Sequence, residues 1–132
     1  MMNQRRISPR AEYRQQESQR INDSVSLAER FRELKSLTVD LAHLDSQRHA
    51  KTGEMKYTVN LAHAKSLFRI DCPNGECVGG DFDLSEALTQ AVAGRRKVVT
   101  GEMRCLGHRN RGDHDAVPCQ AFLRYTLNLG YV

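Results

Sequence analysis

The sequence predicts an α+β domain in which a four- to five-stranded, mainly antiparallel sheet is covered by one or two short helices. Several short stretches alternate apolar and polar residues, which is typical of strands with one buried face. Residues 83–94 instead carry apolar residues at helical spacing. Four cysteines lie where predicted elements begin or end, at Cys72, Cys77, Cys105 and Cys119. The predicted fold therefore has its thiols at the ends of strands.

The N-terminal residues 1–23 have almost no apolar side chains and no periodicity. Such a segment cannot bury enough surface to offset the entropy lost on ordering, so we predict a disordered arm. Its five arginines outnumber its three acidic residues. A basic arm can touch nucleic acid or a membrane surface, but a solvated tail is the simpler interpretation. Residues 24–132 are then predicted to form a single domain.

A short helix is predicted over residues 26–35. Ser26 and Glu29 have the spacing of a capping box, and Leu27, Phe31 and Leu34 recur at helical spacing. The apolar stripe of this helix is expected to cover the sheet. An exposed seam for dimerisation is the alternative.

A pair of similar strands follows. Leu37, Val39 and Leu41 alternate with polar or small residues, and the segment 38–43 (TVDLAH) is nearly repeated at 58–63 (TVNLAH). Two such strands separated by a polar stretch predict a hairpin with a long loop. His43 and His63 would then lie near opposite ends of the hairpin, well over 10 Å apart at ~3.3 Å per residue, so we do not expect them to share a metal site.

The remaining elements lead to and from the cysteines. Residues 67–71 predict a third strand that runs into Cys72, and residues 98–104 predict a fourth that ends at Cys105. A helix over residues 83–94 begins with a second capping box and ends at Gly94. Residues 122–129 predict a last strand after Cys119. Gly79 and Gly80 are expected to let the backbone pass close to the thiols.

The four thiols indicate a metal site. The sequence has neither a secretory apolar segment nor an apolar run near 18 residues, so we expect a cytoplasmic protein that binds no membrane. Disulfides are rare in that reducing compartment. Thiols grouped in two pairs are well suited to Zn²⁺, which takes four tetrahedral ligands and binds thiolate sulfur.

The pattern resembles the zinc-ribbon and treble-clef class of four-cysteine domains, in which two chain reversals each donate two thiolates. The resemblance covers residues 72–119 and departs from the usual spacing, since four residues separate the first pair and thirteen the second. This departure leaves the ligands open. His108 can replace a cysteine as the fourth ligand, and an iron–sulfur cluster, a reactive thiol pair and four unconnected thiols are further alternatives.

Cations near the thiols suggest a binding surface. Lys and Arg number 20 against 16 Asp and Glu, which permits an anionic partner without requiring one. The candidate binding residues, expected to flank the metal site from both sides, are Arg95, Arg96, Lys97, Arg109 and Arg111. Helix capping and neutralisation of the thiolates are the simpler roles for these residues.

These patterns predict a small zinc-binding, non-catalytic module that contacts nucleic acid or an acidic partner. No P-loop, dinucleotide fingerprint or zinc-protease motif occurs, and a metal with four protein ligands has no open position for substrate. One alternative is an accessory subunit that contacts a protein through the arm and the helix at 26–35. The other is a thiol-based redox or metal sensor.

Overall fold

The structure is a computed structural model that describes residues 9–45, 47, 50–73, 77–78, 80–110 and 116–132. The elements in chain order are α1 (Pro9–Asp23), α2 (Leu27–Arg30), β1 (Leu34–Leu44), β2 (Lys51–Thr58), β3 (Arg69–Asp71), β4 (Cys77–Val78), β5 (Asp81–Asp83), α3 (Ser85–Ala93), β6 (Val98–Arg104), β7 (His108–Asn110), β8 (Ala116–Pro118) and β9 (Phe122–Tyr131). The described residues form an α+β fold, as the sequence predicts.

The largest sheet has four antiparallel strands in the order β2-β1-β9-β6. Its inner face carries the alternating residues seen in the sequence: Val39 pairs with Leu127, and both are fully buried. Leu88 and Val92 of α3 belong to the same apolar core. Burying each such side chain contributes about 1.5–3 kcal/mol, so this sheet and α3 supply a large part of the apolar packing.

The hairpin of β1 and β2 is confirmed, but its second strand lies earlier than the repeat predicts. β2 ends at Thr58, and the repeated segment continues as a turn in which the Asn60 carbonyl accepts hydrogen bonds from the amides of His63 and Ala64. The Asn60 side chain also accepts the amide of Ala62, at 3.1 Å. An Asx turn of this kind competes with strand pairing. This explains why the similar segments 38–43 and 58–63 adopt different structures.

The predicted helix over residues 26–35 is a single turn. Ser26 caps it by accepting the Glu29 amide at 3.2 Å, as the capping box predicts. The chain then enters β1 at Leu34. Leu27, Phe31 and Leu34 are buried in the core, so the apolar stripe covers the sheet and does not form an exposed seam.

Helix α1 occupies much of the segment that the sequence analysis assigns to a disordered arm. Its inner side is held by polar contacts: Arg14 pairs with Asp71 at 2.8 Å, and Glu17 pairs with Arg69 at 2.6 Å. The apolar composition used for the prediction does not report such ion pairs, which explains the difference. Residues 1–8 lie outside the described part, and the division of the chain at residue 23 stays a prediction.

Two smaller sheets lie beside the cysteines. β3 pairs with β5, and β4, β7 and β8 form the order β4-β7-β8, all antiparallel. No helix in the described part of the chain is both long enough and apolar enough to cross a lipid bilayer. The small sheets matter chiefly because their ends position the thiols.

Candidate metal centre

Four elements deliver the four cysteines to one place. Cys72 follows β3, Cys77 begins β4, Cys105 follows β6, and Cys119 lies between β8 and β9. Backbone hydrogen bonds fix two of them: the Cys105 amide donates to Ala121 at 2.8 Å, and the Cys119 amide donates to Gly107 at 3.0 Å. Their sulfur atoms lie within 4.8 Å of one another, and all four residues are buried.

The distances between sulfurs suit one metal ion. Cys72 Sγ lies 3.6 Å from Cys119 Sγ, and Cys77 Sγ lies 3.5 Å from Cys105 Sγ. Four sulfurs bonded to one Zn²⁺ at ~2.3 Å in a tetrahedron lie about 3.8 Å apart. A disulfide requires ~2.05 Å between sulfurs, and none of the four is bonded to another. The four cysteines could therefore hold a metal ion.

Two glycines make room for the sulfurs. A Cβ atom on Gly80 would collide with Cys105 Sγ and lie 2.7 Å from Cys77 Sγ, and one on Gly107 would lie 2.6 Å from Cys77 Sγ. The backbone must therefore approach the thiols without a side chain at both positions. Gly80 was expected in this role from the sequence, whereas Gly107 was not, although the spacing Cys105-Leu-Gly107 offered a signal. Gly79 lies outside the described residues.

The protonation state of Cys77 bears on metal binding. Burial raises the pKa of the Cys77 thiol to about 12. Without a metal that thiol is neutral at pH 7, whereas a bound metal ion favours the thiolate and displaces the proton. Four thiolates and one divalent ion carry a formal charge of −2. The chemistry of the donor set therefore fits a thiol-binding divalent metal.

His108 is not part of the cluster. It lies in β7 opposite Val78, and its side chain is exposed. In the described part of the chain, the group of residues able to share a metal consists of the four cysteines. The alternative in which His108 replaces Cys119 therefore has no support in the geometry.

The cations predicted to flank the cysteines are divided by the structure. Arg95, Arg96 and Lys97 precede β6, whereas Cys105 follows it. The seven residues of β6, at ~3.3 Å each, place these ends about 20 Å apart. The triplet therefore lies about one strand length from Cys105, and its role in binding an anionic partner stays a prediction.

The other two predicted cations are Arg109 and Arg111. The backbone of Arg109 pairs with that of Cys77, so this residue is near the cluster. Arg111 lies outside the described residues. Arg104, which immediately precedes Cys105, packs its guanidinium 5.2 Å from the centre of the Phe122 ring.

The described chain is thus an α+β protein with a buried four-thiol cluster compatible with a zinc-ribbon-like site. No protein-family model, curated protein or solved structure matches it.

Proposed function

We propose that the protein is a small, non-catalytic module that is stabilised by one structural Zn²⁺ and binds an anionic partner. The observation that carries the metal assignment is the arrangement of four buried sulfurs within 4.8 Å. Zn²⁺ favours a set of four thiolate ligands. A mononuclear iron site would have similar ligands, so metal analysis must distinguish the two.

An iron–sulfur cluster suits the geometry less well. A cluster of two or four irons places iron and sulfide between the cysteine ligands and separates their sulfurs further than one ion does. Two of the sulfur pairs lie at 3.5 and 3.6 Å. These distances are those expected around a single ion.

A structural role is favoured over a catalytic one. Four protein ligands saturate Zn²⁺, whereas catalytic sites keep a position open for water or substrate. The cysteines are also inaccessible, with Cys119 the most exposed of them at 7%. The ion would instead tie together the end of β3, the start of β4, the end of β6 and the segment before β9.

The binding role is supported by charge and by fold. The chain has a formal net charge of +4, which favours association with anionic partners. The competing proposal of a protein contact through the arm and the helix at 26–35 depends in part on an apolar stripe, and that stripe is buried. An anionic partner is therefore the better-supported choice.

Metal analysis of the purified chain tests the proposal. We expect one zinc per chain and little iron, and we expect each single substitution, Cys72→Ser, Cys77→Ser, Cys105→Ser or Cys119→Ser, to abolish stoichiometric binding. His108→Ala is the matched control and should retain the metal. Full zinc binding by any of the four serine variants would contradict the ligand assignment.

A thiol sensor is a second candidate, and the two close sulfur pairs favour it. In that case two peroxide molecules and four protons would convert the four thiolates to two disulfides, releasing Zn²⁺ and four water molecules. The pairing expected from distance is Cys72 with Cys119 and Cys77 with Cys105. Peptide mapping after peroxide treatment tests this, and unchanged zinc content would exclude the sensor.

A further inference from the structure

One end of the four-stranded sheet gathers cations from two distant parts of the sequence. We call it the basic end. Three cations come from the segment of α2 and β1, and three from the connection between α3 and β6: Arg30, Arg32, Lys35, Arg95, Arg96 and Lys97. All six are exposed, and Glu33 is the acidic residue among them.

The strand β9 brings the two groups together. The Val132 amide donates to the Glu33 carbonyl at 2.9 Å, and the Leu129 amide donates to the Lys97 carbonyl at 2.8 Å. β9 lies between β1 and β6 in the sheet. Two strand spacings separate the groups, which is about 10 Å. The basic end is therefore a compact surface, at the opposite end of β6 from Cys105.

None of these six cations forms an ion pair with a carboxylate side chain within the described residues. Several cations elsewhere do, as in Arg14 with Asp71 and Lys51 with Glu54. Two of the six contact rings: Arg30 lies 5.7 Å from the centre of Phe31, and Arg95 lies 4.8 Å from that of Tyr131. The unpaired charge at this end is available to an external anion.

We propose that the basic end binds the phosphate backbone of nucleic acid. This inference rests on the proposed function and assigns its partner and its surface. Duplex DNA carries one charge per ~1.7 Å of axis. Several cations spread over about 10 Å can therefore each lie near a phosphate. Phe31 is buried and Tyr131 lies under Arg95, so these rings offer no open platform for stacked bases. Binding is therefore through phosphates and independent of base sequence.

A pair of charge-matched variants tests the surface. The test variant combines Arg32→Gln, Lys35→Gln, Arg96→Gln and Lys97→Gln. The control combines Lys51→Gln, Lys56→Gln, Arg104→Gln and Arg124→Gln, which are exposed residues elsewhere on the large sheet. Both lose four positive charges, so they have equal net charge. Fluorescence anisotropy would use a labelled 20-base-pair DNA of mixed sequence, a second DNA of scrambled sequence, and polyglutamate as competitor.

With four to six phosphate contacts, we expect wild-type affinity to fall roughly 10²–10³-fold between about 50 and 200 mM salt. The test variant should lose most of that dependence, since each removed contact lowers the slope by about 1. The control variant should keep it, and the scrambled DNA should bind equally well. If both variants lose the same amount of DNA affinity and salt dependence, the basic end is not the binding surface. Stronger competition by polyglutamate than by unlabelled DNA would contradict nucleic acid as the partner.

Zinc content separates this inference from the proposed function. Both variants should retain one zinc per chain, because their substitutions spare the four cysteines. A wild-type chain that holds zinc but binds neither DNA nor polyglutamate overturns the inference and the anionic partner, while the structural metal site stands. A chain that binds DNA through the basic end without zinc overturns the metal assignment alone.

Discussion

At the scale of the residue, the cysteine cluster depends on the absence of side chains at Gly80 and Gly107. Both positions bring backbone within van der Waals distance of sulfur, and a Cβ on Gly80 would collide with Cys105 Sγ. Since metal ligands must be held close to their ideal positions, a methyl group here would displace a sulfur.

Gly80→Ala should therefore weaken zinc binding by at least ~10-fold, the range typical of disturbed residues around a metal site. Competition with a chromophoric chelator measures the effect. Gly53→Ala is the matched control, because a Cβ there would lie an ordinary 3.9 Å from His43. If both variants bind zinc like the wild type, the close approach at Gly80 is not a requirement of the site.

His43 provides a second prediction at this scale. Its Nδ1 is buried and has no hydrogen-bond partner in the described part of the chain, and its ring lies 5.9 Å from that of Phe82. Burial lowers the pKa of His43 below its ordinary value of 6.5. The unfolded chain therefore takes up this proton more readily, so stability is full above pH 6.5 and decreases as the pH falls below it.

His43→Phe should remove this contribution, so its free energy of unfolding should fall less than that of the wild type between about pH 7.5 and 5.5. Urea titrations at several pH values measure the difference. His63→Gln, in an exposed turn, should behave like the wild type. A pH profile of His43→Phe identical to the wild type would show that His43 is readily protonated in the fold.

At the scale of the element, α1 is held to the body mainly by charged side chains. Glu17 is 8% exposed and pairs with Arg69, which also approaches Asp83 at 3.8 Å. Arg10 donates to the Cys72 carbonyl at 3.1 Å, so the helix lies directly against the segment carrying a predicted ligand. Removing one partner of a buried ion pair leaves the other charge without compensation.

Glu17→Gln should thus loosen α1 by about 1–3 kcal/mol, which is the cost of an unsatisfied buried group. Hydrogen exchange of the α1 amides measures this opening. Glu12→Gln, on the exposed side of α1, should leave exchange unchanged. Equal protection of α1 in the wild type and Glu17→Gln would show that the ion pair does not hold the helix.

The elements also show what the sequence can and cannot predict. Alternation revealed β1 and β9, because a sheet with one buried face leaves a clear period of two. The same logic placed β2 too late, since the Asn60 turn is not visible in apolar periodicity. It also missed the docking of α1, which depends on partners such as Asp71 and Arg69 about 50 residues away in the chain.

The candidate site was predicted better than its surroundings. Cysteines can be recognised as candidate metal ligands from residue type alone. β3 and β6 lead into Cys72 and Cys105 as expected. The positions of cations depend instead on strand order. Arg32 and Lys35 join Arg96 and Lys97 only because β9 inserts between β1 and β6, which local patterns do not determine.

At the scale of the whole molecule, the metal would join segments that little else connects. The small sheets contain strands of only two or three residues, which are too short to be stable alone. The four cysteines also belong to the apolar core. Binding to the folded state alone makes stability depend on free metal, by about 2.7 kcal/mol at a concentration 100 times Kd.

The melting temperature should therefore rise with free zinc in a buffered series and fall when a chelator is added. Differential scanning fluorimetry measures both changes. Cys105→Ser should show no such rise, while the charge-matched variant of Lys51, Lys56, Arg104 and Arg124 should respond like the wild type. A melting temperature independent of zinc in the wild type would mean that the metal does not stabilise the fold.

Native mass spectrometry of the purified, folded chain tests the central claim most directly. A single metal held by four thiolates predicts an intact mass that exceeds the polypeptide by one zinc ion less the protons it displaces, with four thiols that become reactive only after chelation. A compactly folded chain with no bound metal, or one carrying iron and sulfide in place of zinc, would contradict it.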